Sequence, residues 1–131
     1  MTQDTHTLRQ LFEALHAERV ATWDPAVLKV NVDQRRTLEA TADRLAFLQI
    51  GQWVEPFTLT EVDGSSLTRD QLLSEGPVVL LFFRFAGCPA CNVALPYYQR
   101  TLAAQARSLG ASVVAVSAPL SAIALALACR P

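Results

Sequence analysis

Six consecutive apolar residues, Val78-Val79-Leu80-Leu81-Phe82-Phe83, are followed after a four-residue loop by Cys88-Pro89-Ala90-Cys91. This junction constrains the fold more than any other part of the chain. The run has the length and the β-branched, aromatic character of a central parallel strand covered on both faces. Phe85-Ala86-Gly87 reads as a loop. Cys88-Pro89 opens a helix, since proline is tolerated in a first turn. That helix continues through Leu95, Tyr98, Leu102 and Ala106 to Gly110, and Pro96 inside it predicts a kink. Ala111 to Ser117 reads as another buried strand. Upstream, Pro56-Phe57-Thr58-Leu59-Thr60 alternates like a short strand, and Asp63-Gly64 is a turn signal. Thr68 and Gln71 have capping-box spacing and open a short helix over Leu72 and Leu73, which Gly76-Pro77 ends. Alternating strands and helices predict a parallel sheet with right-handed crossovers.

The first fifty residues read as helical. Thr7 and Gln10 form a capping-box pattern, with Leu8, Leu11, Phe12 and Leu15 at helical spacing behind it. A helix is expected from about residue 7 to 21. Asp24-Pro25 starts a second, which Leu38, Ala42, Leu45 and Leu48 carry to about Gln49, with Gly51 as its stop. The polar stretch from Val30 to Arg36 is expected to break it. Such a hairpin could pack on the main domain or on a second copy of itself.

Charge and cysteine usage narrow the function. The chain has 131 residues, 11 basic and 12 acidic, for a net charge of -1. All 12 acids lie in residues 1–75, and residues 76–131 carry four arginines and no acid. That cationic part suits an anionic intermediate such as a thiolate. There is no basic stripe or stacking series for nucleic acid. Three cysteines, two of them in one CxxC, do not make a secreted disulfide framework. The polar N-terminus lacks a signal-peptide pattern. The expectation is a cytoplasmic protein. Ser108 to Cys129 is uncharged and long enough to span a bilayer. Its Gly110, Pro119 and four serines fit a strand followed by an apolar helix better, so no membrane partner is expected.

Cys88 and Cys91 are three apart, on one helix face, so their sulfurs can reach bonding distance. A thiol at a helix N-terminus meets unpaired N–H groups and the positive end of the dipole, and both favour the nucleophilic thiolate. Arg84, four residues upstream, adds a positive charge and is a candidate thiolate stabiliser, or else a solvated side chain. One sulfur can attack and the other resolve. That suits peroxide reduction through a sulfenic acid, or exchange with a protein disulfide. A CxxC can also be half a zinc site, but only Cys129 and the remote His6 and His16 could complete it. No metal or organic cofactor is expected. The pair could also be inert buried cysteines. The co-occurrence of strand, CxxC and helix favours redox activity. Tyr97 and Tyr98 read as packing residues, Cys129 as a small apolar residue, and the histidines as solvated.

The segment from Phe82 to Cys91 resembles the active-site segment of the peroxiredoxin-like alkyl hydroperoxide reductase and thiol-specific antioxidant family, within the thioredoxin superfamily. Phe57-x-Leu59, Asp63-Gly64 and Leu67 are similar to that family's first strand and turn, and Ala111 to Ser117 to a later strand. Pro96 is similar to the kink proline of thioredoxins. The resemblance spans roughly residues 50–119. It implies an α/β, thioredoxin-like domain over 51–131, with about three strands, behind an N-terminal helical extension over 1–50. Peroxiredoxins carry Pro-x-x-x-Thr/Ser-x-x-Cys, and here Cys88 stands where that Thr falls. On that alignment Cys91 attacks peroxide; on the thioredoxin alignment Cys88 attacks and Cys91 resolves. Helix-terminus physics favours Cys88, expected to be the more exposed of the two.

The family fold continues beyond this strand with a cis-proline loop and further strands, whereas residues 120–131 can form one apolar helix. The chain therefore resembles a C-terminally shortened member, whose bare sheet edges and apolar tail predict dimerisation or aggregation. The implied activity is a thiol-dependent peroxidase using a hydroperoxide and an external dithiol such as a thioredoxin-type protein. The alternatives are a thioredoxin-like disulfide reductase and a non-catalytic interaction module.

Overall fold

The computed structural model describes residues 6–42 and 47–117. The chain divides into two compact units, Met1–Glu55 and Pro56–Pro131.

Among the described residues the first unit holds two helices. Helix α1, Leu8–Thr22, begins at the expected capping box: the Gln10 amide donates to Thr7 Oγ1 and the Thr7 amide to Gln10 Oε1. It ends where the Arg19 guanidinium lies 5.0 Å from the Trp23 ring. Helix α2, Pro25–Ala42, is capped by Asp24, whose Oδ1 accepts from the Ala26 amide at 2.8 Å. The expected break between Val30 and Arg36 does not occur. Asp33 pairs with Lys29 four residues before it and with Arg36 three residues after it, so the polar stretch is held along one helix face. The helix also does not reach Gln49. Residues 47–49 have no regular structure, and Gly51, at φ +86°, lies in a turn in which the Gln52 amide donates to the Gln49 carbonyl. Neither helix buries a residue.

Among the described residues the second unit holds four short strands, in two separate two-stranded sheets. Strand β1, Thr58–Thr60, pairs antiparallel with β2, Ser66–Thr68, with Leu59 opposite Leu67. The Asp63-Gly64 turn between them forms as expected, Gly64 at φ +86° and the Ser65 amide donating to Asp63 Oδ1. The returning strand β2 is too short for an alternating pattern, because Leu67 is its one apolar residue. Thr68 and Gln71 complete a second capping box and start α3, Arg69–Ser74. Leu67 and Leu72 are buried beneath this hairpin-helix turn.

Strand β3, Val78–Phe83, pairs in parallel with β4, Ser112–Ser117, from Val78 opposite Ser112 to Phe83 opposite Ser117. The connection carries a continuous helical run from Pro89 to Ser108: α4, Pro89–Tyr98, then a π-helical segment, Gln99–Ala103, then α5, Ala104–Ser108. Pro96 has no N–H for the Asn92 carbonyl, and the π segment begins three residues later. Ala103, Ala106 and Ala115 are buried where this connection packs on β4, small residues that let helix and strand approach closely. Strand β3 is not covered on both faces: Phe82 is 79% exposed. Among the described residues its one strand neighbour is β4. The expected helix over 120–131 lies outside the described residues, as does Cys129. Among the described residues no helix is long and apolar enough to cross a membrane.

Candidate functional site

The CxxC sits where the sequence places it, at the carboxyl end of β3 and the start of α4. Cys88 is the N-cap residue, with extended backbone at φ -77° and ψ 114°, and Pro89 occupies the first turn. The Cys88 amide donates to the Phe85 carbonyl at 3.0 Å, and the Cys88 carbonyl accepts the Asn92 amide at 3.0 Å. The first bond closes the 85–88 turn. Exposure runs opposite to the expectation: Cys88 is 5% exposed and Cys91 is half-buried. Both are free thiols.

Electrostatics still separate the two sulfurs in the expected sense. Burial is the largest single influence on the Cys88 thiol and opposes its ionisation. A side-chain hydrogen bond with Cys91, the Cys91 and Ala90 amides and the Arg84 charge together outweigh it, so Cys88 lies below the ordinary cysteine range. The sulfur makes no hydrogen bond of strict cap geometry, so the amides act on it as nearby dipoles. Cys91 is pushed up, first by burial, then by the hydrogen bond with Cys88 and by its charge. The Arg84 and Phe85 amides oppose that rise. In this coupled pair Cys88 is the sulfur that ionises first.

Arg84 takes part in two ways. Its exposed guanidinium lies 5.7 Å from the Phe85 ring and lends charge to Cys88. Its amide donates to Cys91 Sγ at 3.4 Å. The sequence pointed to the side chain and gave no sign of the amide. It also passed over Ser117, whose Oγ donates to the Arg84 carbonyl at 3.0 Å. The hint was positional: Ser117 ends β4 beside the residue that precedes Arg84.

Tyr97 and Tyr98 are half-buried and meet edge to face, ring centroids 6.0 Å apart. His6 and His16 are exposed in the first unit. Among the described residues no group of three or more metal-ligating side chains assembles. A shallow cavity of about 320 Å³ is lined by Pro56, Phe57, Thr58, Thr68, Arg69 and Asp70, none of them a cysteine.

The arrangement can hold one sulfur as a nucleophile and a second within reach to close a disulfide. A family model described as Redoxin matches residues 49–129. No curated protein and no solved structure matches the chain. The match spans well over half of the 131 residues, includes the CxxC segment, and implies a thioredoxin-like fold with the redox chemistry of that superfamily. The chain belongs to the Redoxin family of the thioredoxin superfamily.

Proposed function

We propose that the chain is a thiol-dependent peroxidase in which Cys88 attacks and Cys91 resolves, within a catalytic domain over residues 51–131. The Cys88 thiolate attacks the nearer oxygen of a hydroperoxide. The O–O bond breaks, Cys88 becomes a sulfenic acid, and the leaving oxygen takes a proton and departs as an alcohol or water. Cys91 then attacks the Cys88 sulfur, the disulfide forms and water leaves. An external dithiol reduces that disulfide, is itself oxidised to a disulfide, and restores both thiols. Arg84 supports the thiolate by its charge. A reducing, cytoplasmic setting fits a dithiol that must be regenerated each cycle.

One observation carries this reading: Cys88 is both the lower-pKa sulfur and 5% exposed. A peroxide is small enough to reach a sulfur so covered. A disulfide of another folded protein must bring one of its sulfurs within bonding distance of the same atom, together with the chain that carries it. The burial therefore favours peroxide over disulfide exchange as the substrate, although both would use the same two residues.

The test is hydrogen peroxide consumption by the purified chain with a dithiol reductant, beside Cys88→Ser and Cys91→Ser. Turnover should vanish in Cys88→Ser. With the dithiol left out, Cys91→Ser should consume about one equivalent per chain and stop with a trappable sulfenic acid. Wild-type consumption no faster than that of the reductant alone would overturn the peroxidase reading.

A further inference from the structure

We infer that Ser117 is a positioning residue for the resolving sulfur, acting on Cys91 through the backbone of Arg84. The inference rests on the reading above in one respect, that Cys91 resolves. The geometry is a short relay. Ser117 ends β4 opposite Phe83, the last residue of β3. Its hydroxyl donates across to the Arg84 carbonyl at 3.0 Å, joining positions 33 apart in sequence. Arg84 is the first residue beyond the ladder, where strand pairing no longer fixes the chain. The hydroxyl supplies the restraint that the ladder has stopped giving. The residue so held turns its amide to Cys91 Sγ at 3.4 Å.

The consequence is chemical as well as geometric. An N–H aimed at sulfur favours the thiolate and fixes where that sulfur waits. A resolving thiol must reach a sulfur at the helix cap within a narrow range of geometry. A loose residue 84 would leave Cys91 higher in pKa and less well placed. The influences that lower Cys88 come from Cys91, Ala90 and the Arg84 side chain, whereas the Arg84 amide lowers Cys91, so the effect should be selective.

The experiment compares Ser117→Thr with Ser117→Val, which are close in shape and differ by the hydroxyl. Both suit a strand position. Each is placed in the full chain carrying Cys88→Ala, and the Cys91 thiol is titrated by the pH profile of its alkylation. Ser117→Val should raise the midpoint, equivalent to about threefold less thiolate at a fixed pH below it, as expected for one lost hydrogen bond. Ser117→Thr should keep the midpoint of the Ser117 chain. In a Cys91→Ala background, Ser117→Val should leave the Cys88 profile unchanged. Circular dichroism verifies folding, and Ser117→Ala replaces Ser117→Val should that variant not fold. Equal Cys91 midpoints with Thr and Val, or an equal shift at both cysteines, would overturn the inference. Alkylation consumes no peroxide, so this outcome and that of the turnover assay are read separately.

Discussion

Cys88 caps the helix on which Cys91 lies one turn further on, and each sulfur shifts the other's ionisation in the opposite direction. The hydrogen bond between them lowers Cys88 and raises Cys91. Removing either side chain should therefore move the survivor toward an ordinary cysteine. In Cys91→Ala the Cys88 midpoint should rise, and in Cys88→Ala the Cys91 midpoint should fall. The sign follows for reactivity: Cys88 is held below its ordinary value, so its thiolate fraction at neutral pH exceeds that of a free cysteine and is lost as pH falls through the lowered midpoint. Alkylation rate against pH measures both. Midpoints that move in the same direction would show that the sulfurs are not coupled through this bond.

Arg84 should matter less to Cys88 than Cys91 does. Its charge is the smallest of the named influences on Cys88, and its guanidinium is exposed, where water and salt screen it. Arg84→Ala should reduce Cys88 alkylation at neutral pH by about two- to threefold, with the difference shrinking as salt rises. It keeps the backbone amide, so the Cys91 profile should not move. A loss of Cys88 reactivity above about tenfold would place the side chain at the centre of the site rather than its edge.

The sequence exposes the parts of this fold that depend on local chemistry. Both capping boxes, the Asp24 cap, the Asp63-Gly64 turn and the strand-CxxC-helix junction are short patterns with a direct backbone consequence, and each forms. The features it hides depend on partners. Strand β2 is invisible because Leu67 alone marks it, and it exists by pairing with β1. The unbroken α2 follows from Asp33 meeting Lys29 and Arg36, which apolar periodicity does not register. Six apolar residues in β3 suggest cover on both faces, whereas Phe82 stands open. At the site, residue type identifies two thiols and a cation. It does not rank the burial of the thiols, and it does not show that residue 84 acts through its amide as well as its charge.

Leu67 should test whether the β1-β2 hairpin belongs to the packed part of the second unit. It is 8% exposed in a three-residue strand, while Leu73 on α3 is 52% exposed. Leu67→Ala removes buried carbon and leaves a void, so a cost of about 2–3 kcal/mol is expected, against about 0.5 kcal/mol or less for Leu73→Ala. Denaturant unfolding followed by far-UV circular dichroism gives both values. Equal costs would mean that the hairpin frays without consequence for the rest of the unit.

Gly76 should be the least replaceable glycine of the second unit. Its backbone stands at φ +125°, which side chains rarely adopt, and a Cβ there would lie 2.2 Å from the Gly110 carbonyl oxygen. The opposing group is backbone, so it cannot swing aside. Gly76 leads through Pro77 into β3, and Gly110 leads through Ala111 into β4, with the Ser112 amide donating to the Pro77 carbonyl at 2.8 Å. A clash here would push apart the two ends that start the parallel ladder. Gly64 is the control: it also has positive φ, +86°, but its Cβ would meet nothing within 4 Å. Gly64→Ala should cost about 1 kcal/mol from backbone strain, and Gly76→Ala about 3 kcal/mol or more, since the clash adds to the strain. The thermal midpoints of the two variants should separate accordingly. If Gly76→Ala unfolds at the same temperature as Gly64→Ala, the two ladder ends can move apart at little cost, and the parallel pair is held chiefly by its pairing further along.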